Sequence, residues 1–335
     1  MRALAVETSC DETSASVVEM EGDRFRVLSL TVKSQVIHER FGGIVPELAA
    51  RAHVEVIYDV VAKALSDAGV SLSEIDIHAA TKGPGLAASL VVGVEFSKTL
   101  ALAFRRPFVG VNHLIGHIYS AYLSAPDLRP PFLTLIVSGG HTELVWVEGW
   151  YSFRLLGHTL DDAAGEAFDK GGRTLGLGYP AGPKIDRLAK EGDRRFHRFP
   201  RPKIKRRGYF FSFSGLKTAL LHYARAKGED FIARNLPSVA ASYQEAIVGH
   251  LLDVVERAYM ELKPPALVVV GGVALNSRLR EVFRGRFGDS VIFAKPEYCT
   301  DNAAMIGAAA LKKYELFGED GQEVGIYPSL GVIEP

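Results

Sequence analysis

One pattern of elements occurs twice in this chain, and no other feature restricts its fold as much. Residues 2–6 form a short apolar run that leads into the polar turn Glu7-Thr8-Ser9-Cys10-Asp11-Glu12-Thr13. Residues 14–19 and 25–32 alternate apolar and polar, as two further strands would. The same opening returns after a proline-containing break at 126–131: a strand over 132–137, the turn Ser138-Gly139-Gly140-His141-Thr142, and strands over 143–147 and 153–159. Behind each triplet come helices and single apolar strands. The first half continues with a helix over 46–68, opened by Pro46 and carrying Leu48, Ala52, Val56, Val60 and Ala64 as its core stripe. A strand over 75–81 follows, then Lys82-Gly83-Pro84-Gly85-Leu86, an apolar helix over 87–104, a strand from Phe108 and a helix to Leu123. The glycines of that turn let a backbone or a ligand approach closely. The second half continues with helical segments over 161–175, 183–191 and 214–263, strands over 266–270 and 291–294, and a last helix over 300–314. The expected organisation is an N-terminal lobe over 1–125, to which the helix at about 300–320 returns, and a C-terminal lobe over 130–298 with a helical insertion at about 161–263.

A chain of 335 residues with 47% hydrophobic content can bury two cores of this kind. Its 39 basic and 39 acidic side chains balance, so any nucleic-acid or membrane partner must be read from a local patch. Two cysteines, Cys10 and Cys299, build no disulfide framework, which points to a reduced, cytoplasmic setting without a disulfide-linked partner. Glu7 and Asp11 interrupt the first apolar run, which argues against a signal peptide. Gly, Glu or Lys interrupts each longer run, which argues against a membrane span.

Three stretches carry chemistry. In Val111-Asn112-His113-Leu114-Ile115-Gly116-His117 two histidines four apart share one helix face where a strand becomes a helix, the place at which open α/β sheets put ligands. Such a pair suits a divalent metal with open positions, or is simply two satisfied histidines. The first polar turn offers hydroxyls, backbone N–H groups and an aspartate, which suit a phosphate, a water or a metal, and which a surface hairpin also carries. Between Arg194 and Arg207 lie eight basic residues with Phe196 and Phe199 among them. Arg201, Lys203, Lys205, Arg206 and Arg207 are its candidates for tracking the phosphates of a nucleic acid; a solvated loop is the plain alternative.

A duplicated α/β chain with two polar turns points to the duplicated actin-like ATPase fold of sugar kinases and heat-shock chaperones, with the active site in the cleft between two lobes. Gly271-Gly272, with Asn276 close behind, suits the nucleoside end, where missing side chains leave room for a base.

The first turn, the His113/His117 pair and Ser138-Gly139-Gly140-His141-Thr142 resemble the TsaD/Gcp family. So do Ala167-Phe168-Asp169-Lys170, Gly178-Tyr179-Pro180, Phe213-Ser214-Gly215-Leu216-Lys217 and Cys299-Thr300-Asp301-Asn302, in the family's order from residue 1 to about 310. The first turn and the Ser-Phe-Ser-Gly-Leu-Lys stretch resemble its bacterial branch. The resemblance implies transfer of a threonylcarbamoyl group from threonylcarbamoyl-AMP to N6 of the adenosine beside the anticodon, in tRNAs reading ANN codons. It implies one divalent metal, iron with zinc as the other fitting ion, on His113, His117 and Asp301. It implies an adenine nucleotide (threonylcarbamoyl-AMP, or ATP, ADP or AMP) on Ile136, Val137, Ser138, Gly139, Gly140, Asp169, Gly182, Asp186 and Asn276. Taken alone, each Asp reads as an exposed helix carboxylate and Asn276 as a helix N-cap. The partners implied are tRNA, a TsaB-like paralogue and a TsaE-like ATPase. Two departures stand out: Gly171-Gly172 in place of ordinary helix formers, and Ala181 where a glycine usually precedes Gly182.

Such a reaction starts from an activated mixed anhydride, so the protein must align donor and amine and stabilise charge on carbonyl and phosphate oxygens. An aromatic amine loses a proton as it attacks, and Asp11 is the candidate base. Two rival activities use the same features. A metallopeptidase helix of the H-E-x-x-H kind needs a glutamate where Leu114 stands, and a small-molecule kinase on this fold would transfer a phosphoryl group.

Overall fold

Ten strands form two sheets whose orders are copies of each other in the computed structural model, which describes residues 1–333. The first sheet runs β3-β2-β1-β4-β5 and consists of β1 (Arg2–Glu7), β2 (Glu12–Glu21), β3 (Arg24–Ser34), β4 (Ile77–Gly83) and β5 (Phe108–Asn112). The second consists of β6 (Phe132–Val137), β7 (Thr142–Gly149), β8 (Ser152–His158), β9 (Leu267–Val270) and β10 (Val291–Phe293), and runs β8-β7-β6-β9-β10. The sense of pairing repeats too. β1–β2–β3 and β6–β7–β8 are antiparallel, whereas β1–β4–β5 and β6–β9–β10 are parallel. The duplication read from the sequence therefore extends to topology.

The central strands are covered on both faces, which is why β1 and β6 read as unbroken apolar runs. On one face Leu4, Val6, Ala15 and Val17 meet Ile57, Val60 and Val61 of α1 (Pro46–Ala68), beside α2 (Ala87–Phe104). On the other, Ala3, Ala5 and Val18 lie in one core with α11 (Ala303–Phe317), which packs in turn on α3 (His113–Ser124). The last helix thus packs on β1, β2 and α3 of the first sheet. The helices between are α4 (Ala164–Thr174), α5 (Gly182–Ala189), α6 (Ser214–Lys227), α7 (Glu229–Arg234), α8 (Leu236–Leu262), α9 (Ser277–Phe287) and the single turn α10 (Pro296–Cys299).

Three expectations need correction. The stretch 214–263 is three helices and not one, because Gly228 leaves helical geometry at φ 82° and Pro237 starts a new first turn. The helix expected from residue 161 starts at Ala164, since Asp161 accepts hydrogen bonds from Ser212, Phe213 and Ser214 and is held in the loop. The buried stripe of α1 is Ala49, His53, Ile57, Val60, Val61 and Ala64, one position round from the expected one. His53 turns inward because Thr13 Oγ1 and the Cys10 carbonyl both bond its ring. By length and composition alone α2 could cross a membrane, a test that a core helix also passes; it carries Gly93, Glu95 and Lys98. It lies against β4 and α1 with Leu90, Val94 and Ala101 buried.

Two core histidines make stability depend on pH. Burial, with the Arg106 charge adding, pushes His78 down to about 4, and burial does the same to His250, whose Nε2 accepts the Ser212 N–H. Both lie below the ordinary 6.5, so their contribution is fully present above about 6.5 and is lost as pH falls towards about 4. By pH 5 the cost is on the order of 2 kcal/mol per histidine. Urea unfolding at pH 7 and pH 5 is expected to show that loss, and His78→Leu to flatten part of it; equal stability at both pH values would contradict the assignment.

Candidate active site

The Asn112 side chain accepts the N–H groups of Leu114 and Ile115 and so fixes the point at which β5 becomes α3. His113 is therefore the first helical residue and His117 lies one turn on, with ring centroids 4.7 Å apart. Asp301 comes from the other end of the chain. Asn302 caps α11 by accepting the Met305 N–H, which leaves Asp301 just outside the helix. The pair and the carboxylate meet because α11 lies close on α3 at Gly116, where a Cβ would sit 2.7 Å from Ile306 Cδ1. His113 Nε2 and His117 Nε2 lie 3.4 and 3.2 Å from the same Asp301 oxygen, and one ligand atom of each residue lies within 4.8 Å of the others.

His117 is wholly buried, yet neither ring nitrogen has a hydrogen-bond partner among the described residues. Two imidazole nitrogens thus converge on one carboxylate oxygen, as a set built around a shared cation would. Burial opposes a charge on His113, but the Asp301 and Glu7 carboxylates outweigh it and hold the ring well above its usual pKa. Burial likewise opposes the charge on Asp301, and His113 with His117 holds it well below the carboxylate range. Burial takes His117 down.

Both polar turns reach this group. Burial, then the charges of Asp301 and Asp11, pushes Glu12 up to about 10, so Glu12 is a neutral acid at neutral pH. Burial and the charges of His113 and His117 push His141, on the second turn, down to about 4. Asp11 is half-buried beside Cys10, whose thiol is driven well up by burial and by Asp11. The glycine turn at 83–85 is approached by backbone: Leu86 N–H bonds the Ser9 carbonyl, and Tyr327 and Pro328 bond Lys82 and Gly85. Glu7 was not singled out in the sequence, and its burial beside His113 is visible only in the fold.

The residues expected at the nucleotide lie on the second turn, on α4 and α5, and at the start of α9. Ile136 and Val137 end β6, and Ser138 closes the turn by accepting the His141 N–H on its hydroxyl and the Gly165 N–H on its carbonyl. Asp169 Oδ1 accepts the N–H groups of Ala181 and Gly182, and Asp186 Oδ1 accepts Ser277 through N–H and hydroxyl. The second oxygen of each carboxylate carries no hydrogen bond among the described residues. Asn276 caps α9 by accepting the Leu279 N–H while its amide donates to Gln244.

The two sequence departures explain each other. A Cβ on Gly172 would lie 2.1 Å from the Cβ of Ala181, and one on Gly171 would lie 2.2 Å from the Tyr243 ring. Ala181 is tolerated because Gly172 has no side chain. Gly172→Ala is expected to destabilise the protein by about 1–3 kcal/mol, and adding Ala181→Gly to recover most of that loss. Chemical unfolding of the single and double variants checks it; additive losses would refute the pairing.

The basic segment is only partly free. Arg194 pairs with Glu281 at 3.5 Å and Arg201 with Asp253 at 3.2 Å. Phe199 is buried against Tyr223 and Tyr243, and Phe196 stacks on Phe231, so both aromatics anchor the loop. Lys203, Lys205, Arg206 and Arg207 are exposed, with Arg206 over the Phe210 ring.

Duplicated sheets of this order, with helices inserted in the second half and a His-His-Asp group able to hold a metal between the two polar turns, define a protein of the actin-like ATPase fold. Solved structures agree on the fold. HypF from T.kodakarensis superposes with TM-score 0.62 at 12% identity over 93% of this chain and 48% of its own, and component A of the Acidaminococcus fermentans (R)-2-hydroxyglutaryl-CoA dehydratase with 0.55 at 12% over 94% and 99%. Within that class the chain belongs to the TsaD family, the tRNA N6-adenosine threonylcarbamoyltransferases, whose family pattern matches residues 26–308. The relative of that name from Anaeromyxobacter sp. (strain Fw109-5) is 52% identical over 92% of this chain and 93% of its own, and that from Fervidobacterium nodosum 45% over 96% of each.

Proposed function

We propose that this chain transfers a threonylcarbamoyl group from threonylcarbamoyl-AMP to N6 of the adenosine beside the anticodon, in tRNAs reading ANN codons. The convergence of His113, His117 and Asp301 between the two polar turns carries this reading, in a chain of this family. In it the three residues hold one divalent metal, iron with zinc as the other fitting ion. When bound, that ion supplies a Lewis acid for the carbonyl and phosphate oxygens. Ile136, Val137, Ser138, Gly139, Gly140 and Gly182 line the adenylate. The free oxygens of Asp169 and Asp186 suit ribose hydroxyls, and Asn276 holds the adjoining helix start. Asp11, half-buried on the first turn, takes the proton from the attacking amine. The two lobes are 1–125 with the returning last helix, and 130–298.

Lys203, Lys205, Arg206 and Arg207, with Arg201 beside them, meet the tRNA backbone. The proposed setting is cytoplasmic, with a TsaB-like paralogue and a TsaE-like ATPase as partners. An exposed apolar face on α1 and α2, with Val54, Tyr58 and Val91, supports a protein partner. Mass spectrometry of tRNA nucleosides after incubation with threonylcarbamoyl-AMP, with and without those partners, tests the reading. Unmodified tRNA in both reactions would reject it.

A further inference from the structure

We infer that Glu7 is a positioning residue of the metal centre: its carboxylate holds His113 in the tautomer that presents Nε2 to the ion and makes His113 the stronger imidazole ligand. The inference rests on the metal reading of His113, His117 and Asp301. Glu7 ends β1, is wholly buried, and receives three groups: the Ser9 backbone N–H, the Thr81 hydroxyl at 2.6 Å, and His113 Nδ1 at 3.0 Å. An ionised carboxylate only accepts, so each of these must donate. Nδ1 therefore carries a hydrogen in every state, and Nε2, which faces Asp301 at 3.4 Å, is the nitrogen left to give up its proton to a cation. The support is rigid, because Glu7 ends β1, Asn112 ends β5 and Thr81 lies within β4, and these are three adjacent strands of one sheet.

His117 differs in kind. It is equally buried, yet its Nδ1 has no partner among the described residues and no carboxylate stands behind it. A carboxylate hydrogen-bonded to the far nitrogen of a ligating imidazole fixes its orientation and raises its basicity, and losing such a partner typically costs about 10–100-fold in metal affinity. The two histidines look alike in sequence but are unequal ligands.

The test uses the full chain stripped of metal and titrated with Co(II) against a chromophoric chelator. Glu7→Gln keeps the volume and loses the charge. It is expected to weaken Co(II) binding about 10–100-fold and to shift the exchangeable His113 N–H proton resonance of the Co(II) form. Thr81→Val leaves the carboxylate but removes one of its donors, and is expected to weaken binding several-fold; it carries the test if Glu7→Gln does not fold. Wild-type Co(II) affinity and an unshifted resonance in folded Glu7→Gln, with or without a lower melting temperature, would reduce Glu7 to a core anchor and overturn the inference while the metal reading stands. Failure of wild type to bind Co(II), or undiminished binding by His117→Ala, would overturn the metal reading and this inference with it.

Discussion

Asp301→Asn and His117→Ala are each expected to remove bound metal and threonylcarbamoyl transfer together, with metal content falling more than tenfold. Asp301 supplies the only carboxylate of the three-residue group, and its oxygen is the point shared by both Nε2 atoms. Neither change should unfold the protein. Asn keeps the shape of Asp301, and His117→Ala removes an imidazole whose Nδ1 has no hydrogen-bond partner among the described residues, which offsets part of the lost packing. His117 is fully buried, so it belongs to the core as well as to the cleft, and Asp301→Asn is the cleaner of the two variants. Elemental analysis and melting temperature measured together decide the matter. Stoichiometric metal retained in both variants would sink the ligand assignment. Replacing Cys10 and Cys299 by Ser should leave metal content unchanged, because burial holds both thiols protonated.

The second large effect is expected at the basic segment and separates an RNA enzyme from a small-molecule kinase of the same fold. Replacing Lys203, Lys205, Arg206 and Arg207 by Gln should weaken tRNA binding and flatten the dependence of log K on log salt. Each lost phosphate contact lowers the slope by roughly 0.7–0.9, so the loss reaches about three units if all four contacts exist. Arg201→Gln should change the slope less, since its guanidinium already faces Asp253. Adenylate affinity should hold, because none of the four lies among the residues placed at the nucleotide. Titrations of unmodified tRNA at several salt concentrations test this, and equal slopes would mean that the segment is a solvated loop.

Local pattern alone was enough for much of this protein. The repeated strand triplet, the end points of α1 and α2, and the junction that puts His113 at a helix start were all legible, because period, proline and cap chemistry act within a few residues. The closeness of the two histidines was legible, because their spacing is a single helical turn. Asp301 was not, for it stands far along the chain and enters the site only because a small-residue helix lies close on α3 at Gly116. Only the tertiary structure separated Glu7 from the other acids of its turn, since burial and the approach of Thr81 from β4 and His113 from α3 make one carboxylate a partner of His113. The same holds for Gly172 and Ala181, which look like two departures in sequence and are one contact in space. In the basic segment, composition could not tell paired from free charge. That depends on whether Asp253 and Glu281 lie within reach, and distance between remote residues is a property of the packed chain.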